Sequence, residues 1–393
     1  MKSLKISTAV CEYNPFHNGH KLHLDKMRET SPDFVAVIMS GNFCQRGEGA
    51  VADKYVRAVH AVKCGADVVF ELPAVFSVAP AEIFASGAIK LIDSLPGEKT
   101  LFFGTESGSK QDFLKIAEIT SSETKEFKEA LKVNLSKGLP YALAKTEAYK
   151  QTYADCDFSV LDTPNSVLGL EYVKALLKNG SRTDIRPIKR LGGGYNDLSI
   201  EGEYASASAV RFAIRDGKKK KIKKFVPECV YADLPDRLPD FSDVLLFKAL
   251  ETPKSQLRNV IDCTEGLENR IKALAPTVTD ADSFIDALET KRYTKARLRR
   301  IITANMLGIT KEFTMKCLKS NLYLKVLAVA SDKLDLLSAF SGGKHKLIAR
   351  KSDADNLTGT QKACFLKDVF ANDVYNAVNK KLTNEFQMQI VKR

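Results

Sequence analysis

Val10-Cys11-Glu12-Tyr13-Asn14-Pro15-Phe16-His17-Asn18-Gly19-His20 is the stretch that decides how this 393-residue chain is read. The apolar run Leu4–Val10 leading into it predicts a buried strand. Lys21–Glu29, following it, predicts a helix with Leu22, Leu24 and Met27 as its apolar positions. A strand, a tight turn and a helix carrying His-x-Gly-His can hold the phosphates of a nucleotide. Gly19 lets backbone approach an anion closely, the helix start offers free N–H groups, and His17 and His20 add donors. From these residues alone, a plain turn with two surface histidines is equally open.

Working outward, strand-like and helix-like segments alternate over roughly the first two hundred residues. Strands are expected at Leu4–Val10, Phe34–Met39, Asp67–Leu72, Thr100–Phe103 and Ile185–Leu191. Helices are expected at Gly19–Glu29, Ala52–Cys64, Phe76–Leu91, Gln111–Ile119, Thr124–Gly138, Tyr141–Thr152 and Asn165–Lys178. Apolar strands without alternation are buried on both faces, which predicts an α/β fold with a doubly wound, Rossmann-like parallel sheet. In such sheets ligands sit beyond the carboxyl ends of the strands. The first four strands each lead into a suggestive loop: the His-x-Gly-His turn, Ser40 to Glu48, Glu71-Leu72-Pro73, and Gly104-Thr105-Glu106-Ser107. Any one of these is ordinary turn chemistry; all four would converge on one rim.

After about Pro227 the pattern becomes helical, with segments at Leu245–Leu250, Gln256–Val260, Asn269–Leu274, Ser283–Leu288 and Lys295–Met306. Tyr323–Val329, Leu347–Ala349 and a terminal helix Asp368–Leu382 suggest a small mixed α/β tail. The expected division is residues 1–225 as an α/β domain carrying the nucleotide phosphate site and 226–393 as a mainly helical region contributing to binding of a polyanion.

Composition narrows the class. The chain has 44% hydrophobic and 27% charged residues and a net charge of +12, ordinary for a globular protein with a preference for polyanionic partners such as nucleic acid. No run of about 18 apolar residues predicts a membrane span. The start of the chain lacks a signal-peptide layout, so a cytoplasmic protein is expected. The eight cysteines show no Cys-x-x-Cys spacing, which disfavours a structural zinc site and suggests reduced thiols.

A second anion site is expected at Ser206-Ala207-Ser208-Ala209-Val210-Arg211. There Ser206 or Ser208 can cap a helix, and Arg211 can clamp phosphate oxygens in a transition state. Alone, it reads as an N-cap with a solvated arginine.

Together, the two motifs resemble the HIGH-motif nucleotidyltransferase superfamily. A closer resemblance is to the bacterial tRNA(Met) cytidine acetate ligases. It is carried by Glu12 to His20, Ser40-Gly41-Asn42-Phe43 with Gln45-Arg46-Gly47-Glu48, and Gly65-Ala66-Asp67 through Glu71-Leu72-Pro73. Phe103-Gly104, Pro164-Asn165 with Leu168 to Tyr172, Lys189-Arg190, Ala205 to Ser208, Glu265 to Asn269 and Thr290 to Thr294 also match. The matches run from the first strand to about residue 300 and are weak beyond it. The resemblance implies that ATP activates acetate as acetyl-adenylate and that N4 of the wobble cytidine of elongator methionine tRNA is then acetylated, with release of AMP and diphosphate. It implies catalytic roles for His17, His20, Ser208 and Arg211. It also implies ATP contacts along Val10, Cys11, Glu12, Tyr13, Asn14, Pro15, Phe16, His17, Asn18, Gly19, His20, Lys21, Leu22 and His23, together with Gly104, Asn165 and Arg190. Mg²⁺ held mainly by the phosphates is expected, because that ion seldom needs a protein cage.

For tRNA, the expected contacts are Lys218, Lys219, Lys220, Lys221, Lys223 and Lys224, with Arg292 and Arg299 from a second basic cluster. A solvated lysine face is the competing reading. The chain has no Trp, and Tyr55 and Lys295 stand where the family often has one. Two rival functions remain at this stage: an adenylyltransferase acting on a small phosphorylated metabolite, and a non-catalytic RNA-binding protein.

Overall fold

Phe34–Ser40 shows why the centre of the molecule is a sheet buried on both sides. All seven residues are buried, and they alternate between two apolar cores. Phe34, Ala36 and Ile38 pack on one face of the sheet; Val35, Val37 and Met39 pack on the other. In a computed structural model, which describes residues 4–190, 204–341, 343–382 and 384–393, this segment is β2. Its companions are Lys5–Cys11 (β1), Val68–Leu72 (β3), Glu98–Thr105 (β4) and Asp184–Lys189 (β5). The five strands run parallel in the order β5-β4-β1-β2-β3. Strand order reverses at β1, so the crevice between β1 and β4 is the switch point where such sheets bind ligands.

The tail extends this same sheet. Tyr323–Ala330 (β6) pairs antiparallel with β3, and Lys346–Ile348 (β7) and Gln389–Val391 (β8) pair parallel with β6. Four buried charges fasten it. Lys54 Nζ lies 2.8 Å from Glu71 and 2.6 Å from Glu385, and Lys325 Nζ lies 2.9 Å from Glu71 and also pairs with Glu385. Two cations therefore face two carboxylates. Glu71, expected on the rim, is consumed in this network instead.

Local differences from the sequence expectations have simple causes. The segment Phe76–Leu91 is not one helix but parts of two, Ala74–Ser77 and Ala81–Ser94, because Pro80 cannot continue the first and caps the second. The terminal helix begins earlier and ends sooner than expected, at Gly359–Asn379. A helix at Lys311–Lys319 was not expected. In the fifth strand, Leu191 lies outside the described residues. Tyr55 is buried with its hydroxyl donating to the Glu385 carbonyl, so it is no platform for stacking a base. The eight cysteines are all free thiols. Among the described residues no helix is long and apolar enough to cross a membrane.

Candidate active site

The turn after β1 builds a histidine pair from its own backbone. Helix α1 spans Asn18–Arg28, with His17 as its N-cap in extended conformation. The Gly19 N–H donates to His17 Nδ1 at 3.1 Å, and the His17 N–H donates to His20 Nδ1 at 3.3 Å. The two rings stack with centroids 3.7 Å apart. Because each Nδ1 is an acceptor, each neutral ring carries its proton on Nε2 and keeps one N–H donor for a ligand. Burial, followed by the charges of Arg190 and Arg211, holds His17 down at about 3. Burial, then neighbouring His17 and Arg190, holds His20 well below the usual imidazole range. Burial and Arg190 put His23 at about 4. All three are neutral at pH 7, so they are hydrogen-bond donors and not cations.

These residues open onto a cavity of ≈ 250 Å³ at the β1/β4 crevice. The late helix Ala207–Arg215 closes over the same cavity. Ser206 caps it by accepting the Ala209 N–H at 3.0 Å, and Ser208 in its first turn faces the cavity. Arg211 Nη1 donates to the Asn14 carbonyl at 2.7 Å, while Nη2 lies 3.4 Å from Ser208 Oγ and 3.2 Å from Glu48. Both candidate phosphate motifs thus share one wall. The cavity is lined by the cations Arg46, Lys189, Arg190 and Arg211 against the carboxylates Glu12 and Glu48, a positive balance suited to a nucleotide triphosphate.

The other expected residues divide. Gly104, Asn165 and Arg190 line the cavity, as do Val10, Cys11, Glu12, Tyr13, Asn14, Leu22 and His23. Gly104 packs closely there: a Cβ would lie 3.3 Å from the Arg190 side chain. The structure keeps four members of the opening strip off the wall. Phe16 is fully buried in the core, and Pro15 precedes it. Asn18 Nδ2 donates to the Lys224 carbonyl at 2.8 Å, and Lys21 points to solvent and pairs with Asp25 at 3.0 Å. Cys11 and Cys44 also line the cavity, and burial pushes both thiols up, so they pack and do not react.

Two residues that organise the site were missed. Glu106, in the loop after β4, receives the Asn165 amide and Thr163 Oγ1 and lies 3.6 Å from Arg190, so it fixes the far wall. Arg57, in the helix Lys54–Lys63 (α2), is buried. Its guanidinium donates to the carbonyls of Glu12, Ser40, Gly41 and Ala52, tying the loops after β1 and β2 together. The signal was available: Arg57 is a charge on a helix whose neighbours Tyr55, Ala58, Ala61 and Val62 form a buried face. The Glu12 carboxylate, raised by burial, accepts the Gln45 N–H at 2.6 Å and holds the second loop in register.

The lysine tract is the short 3₁₀ helix Lys219–Phe225, anchored by buried Ile222 and Phe225. Lys219 is spent on Asp236 at 3.0 Å and on the Leu234 carbonyl, and Lys218 pairs with Asp216. Lys220, Lys221, Lys223 and Lys224 are exposed. Arg292 is 78% exposed and pairs with Glu265 at 3.0 Å, whereas Arg299 is half-buried between Asp282 at 3.0 Å and Glu48 at 4.0 Å. The first is a surface group and the second a wall residue.

A parallel sheet whose order reverses beside a histidine-capped helix start, with a distant arginine closing the same cavity, defines an α/β nucleotidyltransferase. The chain belongs to the HIGH Nucleotidyl Transferase family, whose model matches residues 4–389. It is 37% identical, over 94% of each chain, to the tRNA(Met) cytidine acetate ligase of Caldanaerobacter subterraneus subsp. tengcongensis, and 35% identical, with the same coverage, to that of Thermoanaerobacter sp. strain X514. Among solved structures it resembles Thermotoga maritima TmcAL bound with alpha-thio ATP. The TM-score is 0.88 at 28% identity, covering 99% of this chain and 100% of that one.

Proposed function

We propose that this chain is an ATP-dependent tRNA(Met) cytidine acetate ligase: it forms acetyl-adenylate and transfers the acetyl group to N4 of the wobble cytidine of elongator methionine tRNA. The observation that carries the reading is the shared cavity of the His17/His20 turn and the Ser208/Arg211 helix start, joined by the bond from Arg211 to Asn14. The names of the relatives and the nucleotide-bound structural neighbour support it.

In the first step an acetate oxygen attacks the α-phosphorus of ATP, the bond to the bridging oxygen breaks, and diphosphate leaves with the electron pair. Acetate is a weak nucleophile, so alignment supplies much of the rate. The His17 and His20 Nε2–H groups and the Arg211 guanidinium are fixed donors for charge that grows on the phosphates. Being neutral, the histidines add no desolvated cation before ATP arrives. Arg190 and Asn165, both braced by Glu106, hold the nucleotide at the opposite wall. Among the described residues no group of three His, Cys, Asp or Glu side chains is placed to hold a metal. A Mg²⁺ ion would be held mainly by the ATP phosphates, where it would neutralise part of their charge.

The ATP-handling unit is residues 1–225, and 226–393 contributes to tRNA binding in the cytoplasm. Exposed Lys220, Lys221, Lys223 and Lys224 contact RNA phosphates. The test is mass spectrometry of nucleosides from tRNA incubated with the protein, ATP and acetate. N4-acetylcytidine at the wobble position, with AMP and diphosphate released, is expected. Adenylation of a small phosphorylated metabolite without any modified nucleoside would overturn the reading.

A further inference from the structure

The loop Gln45-Arg46-Gly47-Glu48 matches the family motif but has no role in the steps above. Its position is set with unusual tightness. A Cβ on Gly47, whose φ is +74°, would lie 2.4 Å from the Arg299 backbone, and a Cβ on Gly49 would lie 2.1 Å from the Phe241 ring. Thr303 Oγ1 donates to the Gly47 carbonyl at 2.8 Å. Glu48 is therefore pinned between the nucleotide-binding sheet and the helical region. One carboxylate oxygen lies 3.2 Å from Arg211 and the other 4.0 Å from Arg299.

On the far side of this loop is a second, larger cavity of ≈ 580 Å³, a size typical of ligand clefts. Glu48 and Arg211 line both cavities. The floor of the second is apolar, with Phe241, Leu245, Ile302 and Met306, which suits the faces of a planar base. Arg215, Arg237 and Arg299 line the same cavity beside Asp236, Asp240, Asp280 and Asp282, with Arg215 and Arg299 both paired to Asp282. Gly217, another wall residue, leads directly into the lysine tract, which places those lysines beside this opening.

We propose that this second cavity receives the unstacked cytosine of the tRNA and that Glu48, on the wall common to both cavities, accepts its N4–H and takes the proton during transfer. This rests on the ligase reading above. A carboxylate is a natural acceptor for the cytosine amino group, and extruding a base into a pocket is how enzymes reach atoms hidden in a stack. The N4 lone pair attacks the acetyl carbonyl carbon, and a C–N bond forms. The bond from that carbon to the AMP phosphate oxygen breaks, and AMP leaves with the electron pair. The N4 proton passes to a Glu48 oxygen and then to water. Nitrogen becomes strongly acidic once it has added to the carbonyl, so a carboxylate flanked by two arginines is a sufficient base.

The test measures two steps in the full-length protein. Acetyl-adenylate is trapped as acetyl hydroxamate with hydroxylamine, and acetyl transfer is followed on a methionine tRNA transcript. E48Q should lower the ratio of transfer to hydroxamate formation by about 100-fold, the scale of a lost general base. L245W, which fills the second cavity away from the nucleotide, should lower kcat/KM for tRNA acetylation about tenfold. Thermal unfolding of each variant confirms that it folds. An unchanged ratio in E48Q, or an unchanged kcat/KM for tRNA in L245W, overturns the proposal. A wild-type protein that makes no hydroxamate refutes the ligase reading itself. One that makes it and acetylates tRNA, with both variants behaving like wild type, refutes only the second cavity.

Discussion

Arg211 Nη1 donates to the carbonyl of Asn14 at 2.7 Å, across 197 positions of sequence. This bond lays the late helix start over the opening turn and turns two separate anion motifs into one site. Arg211→Ala should lower acetyl-adenylate formation by about 100-fold, because a fixed donor to developing charge is lost. Arg211→Lys keeps the charge but cannot hold Asn14 and a phosphate with one planar fork, so its loss should be intermediate. Hydroxamate trapping at saturating ATP reads both.

The histidines predict a pH effect on stability with a definite sign. Folded His17 is held at about 3 and His23 at about 4, below the ordinary value near 6.5 of the unfolded chain. Between those values the unfolded chain binds more protons, so stability rises with pH through that window and is lost as pH falls below about 6.5. Each such histidine weakens the fold by about 1.4 kcal/mol per pH unit there. His23→Gln should therefore show a shallower drop in urea midpoint between pH 6.5 and pH 4.5 than wild type. An equal slope would mean His23 titrates normally.

Arg57 offers a test of site architecture. Arg57→Leu leaves the Glu12, Ser40 and Gly41 carbonyls without their shared donor. Each unmet buried acceptor costs about 1–3 kcal/mol, so a loss of about 3 kcal/mol or more is expected from urea unfolding. KM for ATP should rise as well, since the loops after β1 and β2 lose their common anchor.

The contrast between Phe34–Ser40 and Arg57 explains what was readable in the sequence. Strand periodicity and loop chemistry are local, so β1 to β5 and the His17 turn are legible, and the pairing of that turn with the Ser208 and Arg211 motif is what carries the resemblance. The helix face around Arg57 reports its burial but not the carbonyls it serves, and Glu106 and the network of Lys54, Glu71, Lys325 and Glu385 join residues far apart in the chain, whose partners nothing in local spacing reports. Glu71 illustrates the loss: its loop chemistry pointed to the rim, and only the position of β6 shows that two lysines consume it.

Lys220, Lys221, Lys223 and Lys224 are exposed, whereas Lys219 is tied to Asp236. Replacing the four exposed lysines with Ala should weaken tRNA binding and reduce the slope of log affinity against log salt by about two to three. Hydroxamate formation, which needs no tRNA, should stay near wild type. Filter binding across a salt series decides this, and an unchanged slope returns the tract to a solvated face.

Glu385 carries the tail's tie to the sheet, and its removal separates stability from chemistry. In Glu385→Ala, Lys54 and Lys325 keep Glu71 as their one shared salt-bridge partner. Breaking a buried ion pair from one side costs about 3–5 kcal/mol, and a shift of that size should appear in the urea midpoint at pH 7. Glu385→Gln keeps the volume and an acceptor, so it should fall between the two. None of the four network residues lines the nucleotide cavity, so acetyl-adenylate formation per folded molecule should be unchanged at temperatures where the variant remains folded. A variant as stable as wild type would show that the lysines discharge or reach water when Glu385 is gone, and β6 would then be held to β3 by backbone pairing and apolar burial alone.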